Sequence, residues 1–157
     1  MNRQRIFEIV CVVALVIFIG FMSAESTYSD KTASEVAESV IKSYDVSELQ
    51  HIKKNKIREE FDIDFSVVES FEYYASDSIM TVDELMIIKL KEEVKPDEIS
   101  EKIAKRAADK QVLFEGYAPE QSALLKEYIL KYDKGFIFYA VGESADEAFA
   151  AFKSSVR

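Results

Sequence analysis

The chain has 157 residues and a formal net charge of −9, with 29 acidic and 20 basic residues. An acidic surface repels phosphates, so the composition argues against nucleic-acid binding and against electrostatic attachment to anionic lipids. The chain has one cysteine, Cys11, and one histidine, His51. It therefore offers no disulfide and no cysteine cluster for a metal, and we expect no cofactor.

Residues 6–24 form an apolar run that is interrupted only by Glu8, near its start. As a helix the run spans about 28 Å, which is close to the roughly 30 Å hydrocarbon core of a bilayer. Arg3 and Arg5 precede it, and the positive-inside rule then places the N-terminus in the cytoplasm. The sequence predicts a single-pass membrane segment with the rest of the chain outside.

Cleavage of this segment as a signal peptide is the alternative, and it would give a secreted protein. Ala24 suits the last position before a cut, but Met22 is bulky where a small residue is expected. We therefore predict an uncleaved anchor over residues 1–24, a polar tether over 25–31 and one extracytoplasmic domain over 32–157.

The domain opens with helical patterns. Thr32 and Glu35 have the spacing of a capping box, and apolar residues recur at intervals of three and four up to Tyr44. Residues 46–61 continue with a broken helical pattern that includes a basic island. We interpret the island as a solvated helix face, with a contact patch for an acidic partner as the alternative. Its members are Lys53, Lys54, Lys56 and Arg58.

Two strands and a helix follow. Residues 65–75 are rich in valine and aromatic residues, and residues 84–91 read as the next strand. The helix is predicted to begin near Pro96 and to end at Gly116, a glycine suited to a helix C-cap, and Pro119 prevents its continuation.

A hairpin and a last helix complete the chain. Residues 128–132 and 136–141 flank a turn at 133–135, where Gly135 predicts a bulged hairpin. Ser144 and Glu147 then have the spacing of a second capping box. After the N-terminal helices, the order of elements along the chain is ββαββα. This order predicts an α+β domain with a four-stranded antiparallel sheet and helices packed on one face.

One spaced set of residues carries a resemblance to a known family. The set comprises Asp83-Glu84-Leu85-Met86-Ile87-Ile88-Lys89, Arg106, Gln111, Phe114, Tyr117, Pro119, Glu120 and Gly135. It resembles a bacterial family of small extracytoplasmic proteins, the domain-of-unknown-function family four-three-five-eight, from roughly Thr32 to the C-terminus. Many relatives look like lipoproteins attached through a cysteine, which this chain lacks at that place. The resemblance implies a fold and a location but no activity.

We expect the signature residues to be structural. Arg106 lies mid-helix among apolar neighbours, so we predict that it pairs with Glu84, or alternatively with Glu120, and holds the helix against the sheet. Tyr117 and Pro119 would fix the chain where it leaves the helix, with the Tyr117 ring packed and its hydroxyl bonded.

The sequence contains few residue patterns that are typical of catalysis. His51 has no Gly-x-Ser-x-Gly partner, and the chain has only four glycines and no phosphate-binding loop. We therefore expect a non-catalytic interaction or accessory module of the bacterial cell envelope that recognises an unknown envelope protein. The alternative is a small-ligand-binding or hydrolytic domain with a site near Arg106, Tyr117 and Glu120.

Overall fold

The computed structural model describes residues 28–157, which contain five helices and five strands. The predicted membrane anchor lies outside these residues. Within residues 28–157 no helix is both long enough and apolar enough to cross a membrane. In chain order the elements are α1 (Ala33–Val40), β1 (Gln50–His51), α2 (Lys54–Phe61), β2 (Val68–Ala75), β3 (Glu84–Leu90), α3 (Asp97–Glu115), α4 (Pro119–Lys126), β4 (Ile129–Asp133), β5 (Phe136–Val141) and α5 (Ala145–Ser155).

The five strands form one antiparallel sheet in the order β1-β2-β3-β5-β4. The α+β class is confirmed, but the prediction of four strands is wrong by one edge strand. That strand, β1, has two exposed residues and pairs Gln50 with Ala75 and His51 with Tyr74. Two exposed residues carry no alternation of polar and apolar side chains, so the sequence held no signal for it.

Helices cover both faces of the sheet, so the prediction that they pack on one face is wrong. Helices α1 and α5 pack on the face that carries Leu85 and Ile87. Helices α2, α3 and α4 pack on the other face, against Met86 and Ile88. Every residue of β3 and of β5 is buried. β5 is apolar throughout and β3 is apolar from Leu85 to Ile88, and such continuous apolar runs are typical of strands buried on both faces.

The helix starts differ from one another. The predicted box at Thr32 is confirmed: its amide donates to Glu35 Oε2 at 2.7 Å, and the Glu35 amide donates to Thr32 Oγ1 at 3.3 Å. The second predicted box is wrong, because the Ser144 side chain makes no capping bond. Acidic residues in the first turn of α5 still stabilise the start of this helix, because they lie near the positive end of the helix dipole.

The backbone conformations after α3 and in the β4–β5 turn differ in part from those predicted. Gly116 follows α3 with a φ of −79°, so it does not use the left-handed conformation of a typical glycine cap. Pro119 occupies the first turn of the unpredicted helix α4, where its missing N–H costs nothing. The hairpin has a two-residue turn and no bulge: Asp133 faces Phe136, while Lys134 and Gly135 have φ of 47° and 91°.

Candidate functional site

A cleft of about 420 Å³ lies where β3 begins, between the β2–β3 loop (residues 76–83) and the C-terminal half of α3. Its lining combines cationic, polar and apolar side chains. The lining residues are Lys56, Ser76, Asp77, Ser78, Ile79, Thr81, Arg106, Asp109, Lys110, Leu113, Phe114 and Tyr117.

An ion-pair network lies beneath the cleft. Glu84, the first residue of β3, is fully buried and accepts from two cations of α3. Arg106 Nη1 lies 2.9 Å from Glu84 Oε1, and Lys110 Nζ lies 2.6 Å from the same oxygen. The two cations share one face of the helix because they are four residues apart. The predicted pairing of Arg106 with Glu84 is confirmed.

Arg106 also joins α3 to α2. Its Nη2 lies 3.0 Å from Glu60 Oε2, and its guanidinium carbon lies 4.5 Å from the centre of the Phe61 ring. Burial has the largest single effect and lowers the pKa of Arg106, but the electrostatic effects of neighbouring groups, Glu84 first and Glu60 among them, together outweigh it and the pKa is raised. Arg106 therefore stays charged and holds α2, α3 and the sheet together.

Two buried tyrosines flank this network. The hydroxyls of Tyr73 and Tyr139 have no hydrogen-bond partner among residues 28–157. Burial raises the pKa of both phenols, and the nearby charge of Glu84 raises it further. Both side chains are therefore neutral at physiological pH and add no charge to the network under the cleft.

The outer part of the cleft is apolar. Ile79 is 79% exposed, Leu113 is 69% exposed and Tyr117 is 55% exposed. The Tyr117 hydroxyl donates to the Ile79 carbonyl at 3.2 Å, and its ring centre lies 5.0 Å from that of Phe114. The predicted bond of the hydroxyl is confirmed, whereas the ring is half exposed.

The remaining signature residues lie elsewhere. Phe114 is buried and lines the cleft, but Pro119 and Glu120 are exposed on α4 and do not line it. Glu120 is not the partner of Arg106. Gly135 lies at the opposite end of the sheet, in the β4–β5 turn.

Sequence reasoning missed several residues of the site. Lys110 carried a signal, because it lies four residues after Arg106 on the same helix face. Lys56, from the basic island, lines the cleft and lies 3.9 Å from Glu60. Nothing in the sequence placed Ile79, whose position depends on an irregular loop.

Other candidate chemistry lies outside the cleft. His51 Nε2 lies 2.7 Å from Glu72 Oε2 on the β1–β2 pair, and His51 does not line the cleft. In the part of the chain that the structure describes, no group of three or more histidine, cysteine or acidic residues is arranged to hold a metal ion.

The fold and site define a small three-layer α+β domain with an apolar cleft above a buried ion-pair network. The family model described as "Domain of unknown function (DUF4358)" matches residues 42–142, and the chain belongs to this family. The match contains every residue that lines the cleft. No curated protein and no solved structure matches the chain.

Proposed function

We propose that this protein is a membrane-tethered, non-catalytic binding module of the bacterial cell envelope, with the cleft as its binding surface. One observation carries the proposal. Among residues 28–157, six large hydrophobic side chains are exposed, and five of them lie at the rim of the cleft or next to it in sequence. These five are Ile79, Met80, Val112, Leu113 and Tyr117. Apolar side chains gathered at a concave site are typical of binding surfaces.

One cation of the cleft, Lys56, supports the choice of occupant. The side chain of Lys56 is 52% exposed, and its ion pair with Glu60 is long, at 3.9 Å. Lys56 can therefore bind an incoming carboxylate without breaking the buried network. We propose that the occupant is a segment of an envelope protein that carries an apolar side chain beside an acidic one.

The anchor completes this proposal. The run at residues 6–24 and the two arginines before it support a single-pass attachment with the domain outside the cytoplasm. Attachment raises the effective concentration of the domain for partners in the same envelope, so a weak contact at the cleft is sufficient for function. Secretion after signal cleavage remains the alternative location.

A small anionic ligand is a second candidate occupant of the same cleft. The observation that favours it is the volume, about 420 Å³, which lies within the usual range of small-molecule sites. Arg106 and Tyr117 line that volume and Glu120 does not, so a ligand site or a hydrolytic site there would be built without Glu120.

The test is photo-crosslinking of the full-length protein in intact cells. A crosslinking amino acid replaces Leu113, and the control carries the same amino acid at Tyr132, an exposed aromatic residue on β4 that does not line the cleft. We expect one envelope protein to be captured from position 113 and not from position 132. The substitution Ile79→Ser should remove this capture, while Tyr132→Ser should not.

Binding of a defined segment then tests the charge requirement. A synthetic peptide from the crosslinked region should bind the purified full-length protein, and Lys56→Glu should weaken the binding. Capture of the same proteins from both positions would contradict the proposal. Capture of no protein would favour the small-ligand candidate, and anionic metabolites would then be screened by the same variants.

A further inference from the structure

We infer that the end of the sheet with the β4–β5 turn lies against the lipid headgroups, and that the cleft faces away from the membrane. The inference rests on the anchor in the proposed function. We call this end of the domain the turn end. It consists of residues 28–31, 91–95 and 133–135 together with Glu69 and Lys89.

The first residues of the described chain are held tightly at the turn end. The Tyr28 hydroxyl lies between two acceptors that share its single hydrogen, Glu69 Oε2 at 2.8 Å and the Leu90 carbonyl. The Ser29 amide donates to the Lys134 carbonyl at 2.9 Å. A side chain at Gly135 would meet the Tyr28 ring, since a Cβ there would lie 2.6 Å from Cδ2.

Two lysines add to this attachment. Lys31 Nζ donates to the carbonyl of Ser155, near the end of α5. The buried Lys89 places its Nζ 5.1 Å from the centre of the Tyr28 ring. The point at which the chain enters the domain is therefore fixed relative to β3, β5 and α5.

The chain length between anchor and domain limits their separation. The predicted anchor ends at Ala24, and Tyr28 follows four residues later. Four extended residues reach at most about 14 Å, so the turn end stays close to the bilayer surface. The cleft lies at the other end of β3, about 20 Å further along the strand direction.

The formal charges of the turn end balance, so this end adds no net repulsion towards anionic headgroups. The turn end contains five acidic and five basic residues, whereas the whole chain has a net charge of −9. The acidic members are Asp30, Glu69, Glu92, Glu93 and Asp133, and the basic members are Lys31, Lys89, Lys91, Lys95 and Lys134.

Site-specific quenching tests this orientation. In a Cys11→Ser background, a fluorescent label is attached to Glu92→Cys at the turn end or to Met80→Cys beside the cleft; both positions are exposed. The full-length protein is reconstituted into vesicles of phosphatidylethanolamine and phosphatidylglycerol that carry nitroxide-labelled headgroups. We expect severalfold stronger quenching at position 92 than at position 80.

The fixed entry point has a test of its own. Tyr28→Ala should reduce the difference in quenching because the chain no longer holds the turn end near the bilayer. Tyr117→Ala, a matched tyrosine at the cleft, should preserve it. Equal quenching at positions 92 and 80 in the parent protein would overturn the orientation.

Flotation of the vesicles separates this failure from that of the proposed function. Protein that does not float with the vesicles would overturn the membrane tether, and the orientation with it, before quenching is measured. Protein that floats but shows stronger quenching at position 80 would leave the tether in place and reverse the orientation.

Discussion

Strand β3 carries one buried charge near each end, and the two charges differ in the number and exposure of their partners. Glu84 is fully buried, and two cations that are themselves about one-fifth exposed bind it from α3. Lys89 is 3% exposed and has one carboxylate partner, Glu69, which is 43% exposed and lies 3.0 Å away. Aromatic rings of Tyr28 and Phe136 cover the remaining side of the Lys89 amine.

From this difference we expect that the burial of a charge does not by itself determine its contribution to stability. At the cleft, removal of the cations leaves a buried carboxylate without a counterion. At the turn end, removal of the amine leaves a carboxylate that water already reaches. We therefore expect the Glu84 network to dominate stability and the Lys89 pair to contribute mainly to the position of Tyr28.

The largest effect is expected for the double substitution of Arg106→Ala and Lys110→Ala. It leaves Glu84 buried without a cation, which should cost about 3–5 kcal/mol of unfolding free energy. Urea unfolding followed by circular dichroism measures the loss. The control is Lys105→Ala with Asp109→Ala, an exposed pair on the same helix, which should cost less than about 1 kcal/mol. Equal losses would show that the network does not hold α3 against the sheet.

Gly135→Ala should have the next largest effect. It places a Cβ in a left-handed conformation, at a φ of 91°, and against the Tyr28 ring. We expect a loss of about 1–3 kcal/mol. In a Tyr28→Ala background the same substitution should cost less, because only the backbone strain remains. If Gly135→Ala lowers the unfolding free energy equally with and without Tyr28, contact with the Tyr28 ring does not contribute to the loss.

Lys89→Met should change the unfolding free energy by less than about 1 kcal/mol, because an apolar side chain of similar length can replace a buried amine. The comparison with the double variant at the cleft uses the same urea titration. A loss as large as that of the double variant would contradict the proposed difference between the two ends of β3.

A dependence on alkaline pH is expected from the buried tyrosines. Burial raises the pKa of Tyr44, Tyr73 and Tyr139 above the usual value, so the folded state holds these protons more tightly than the unfolded state does. The stabilisation is fully present below about pH 10 and is lost as the pH rises above it. Urea titrations at increasing pH measure this loss.

The smallest effect near neutral pH is expected for Tyr139→Phe, whose hydroxyl has no hydrogen-bond partner among the described residues. The unfolding free energy should change by less than about 1 kcal/mol at pH 7, and the loss at high pH should become shallower. A large loss at pH 7 would show that the hydroxyl has a partner near Glu84.

The sequence predicted features that depend on nearby residues. The bounds of β5 and the capping box at Thr32 followed from local patterns. The pairing of Arg106 with Glu84 was one of two alternatives, and it followed from the expected burial of both residues. The apolar runs at residues 85–88 of β3 and 136–141 of β5 also indicated burial of the sheet on both faces, but Lys89 obscured this signal because a lysine normally marks an exposed face.

The cleft could not be predicted in the same way. It forms where the irregular loop at residues 76–83 meets the end of α3, and about thirty residues separate Ile79 from Leu113 along the chain. No periodic pattern determines where an irregular loop comes to lie. Glu120 was misplaced because Pro119 starts a new helix, which directs the chain away from Arg106.

The three-layer arrangement has a consequence for the unit that can be produced as a soluble fragment. The family match covers residues 42–142, but α1 and α5, which lie outside it, bury Leu85, Ile87, Phe136 and Phe138. A fragment cut at those limits would expose one entire face of the sheet to water and should aggregate. Because α1 contacts α5, this face of the core is closed by helices from opposite ends of residues 28–157, and both must be kept in a fragment.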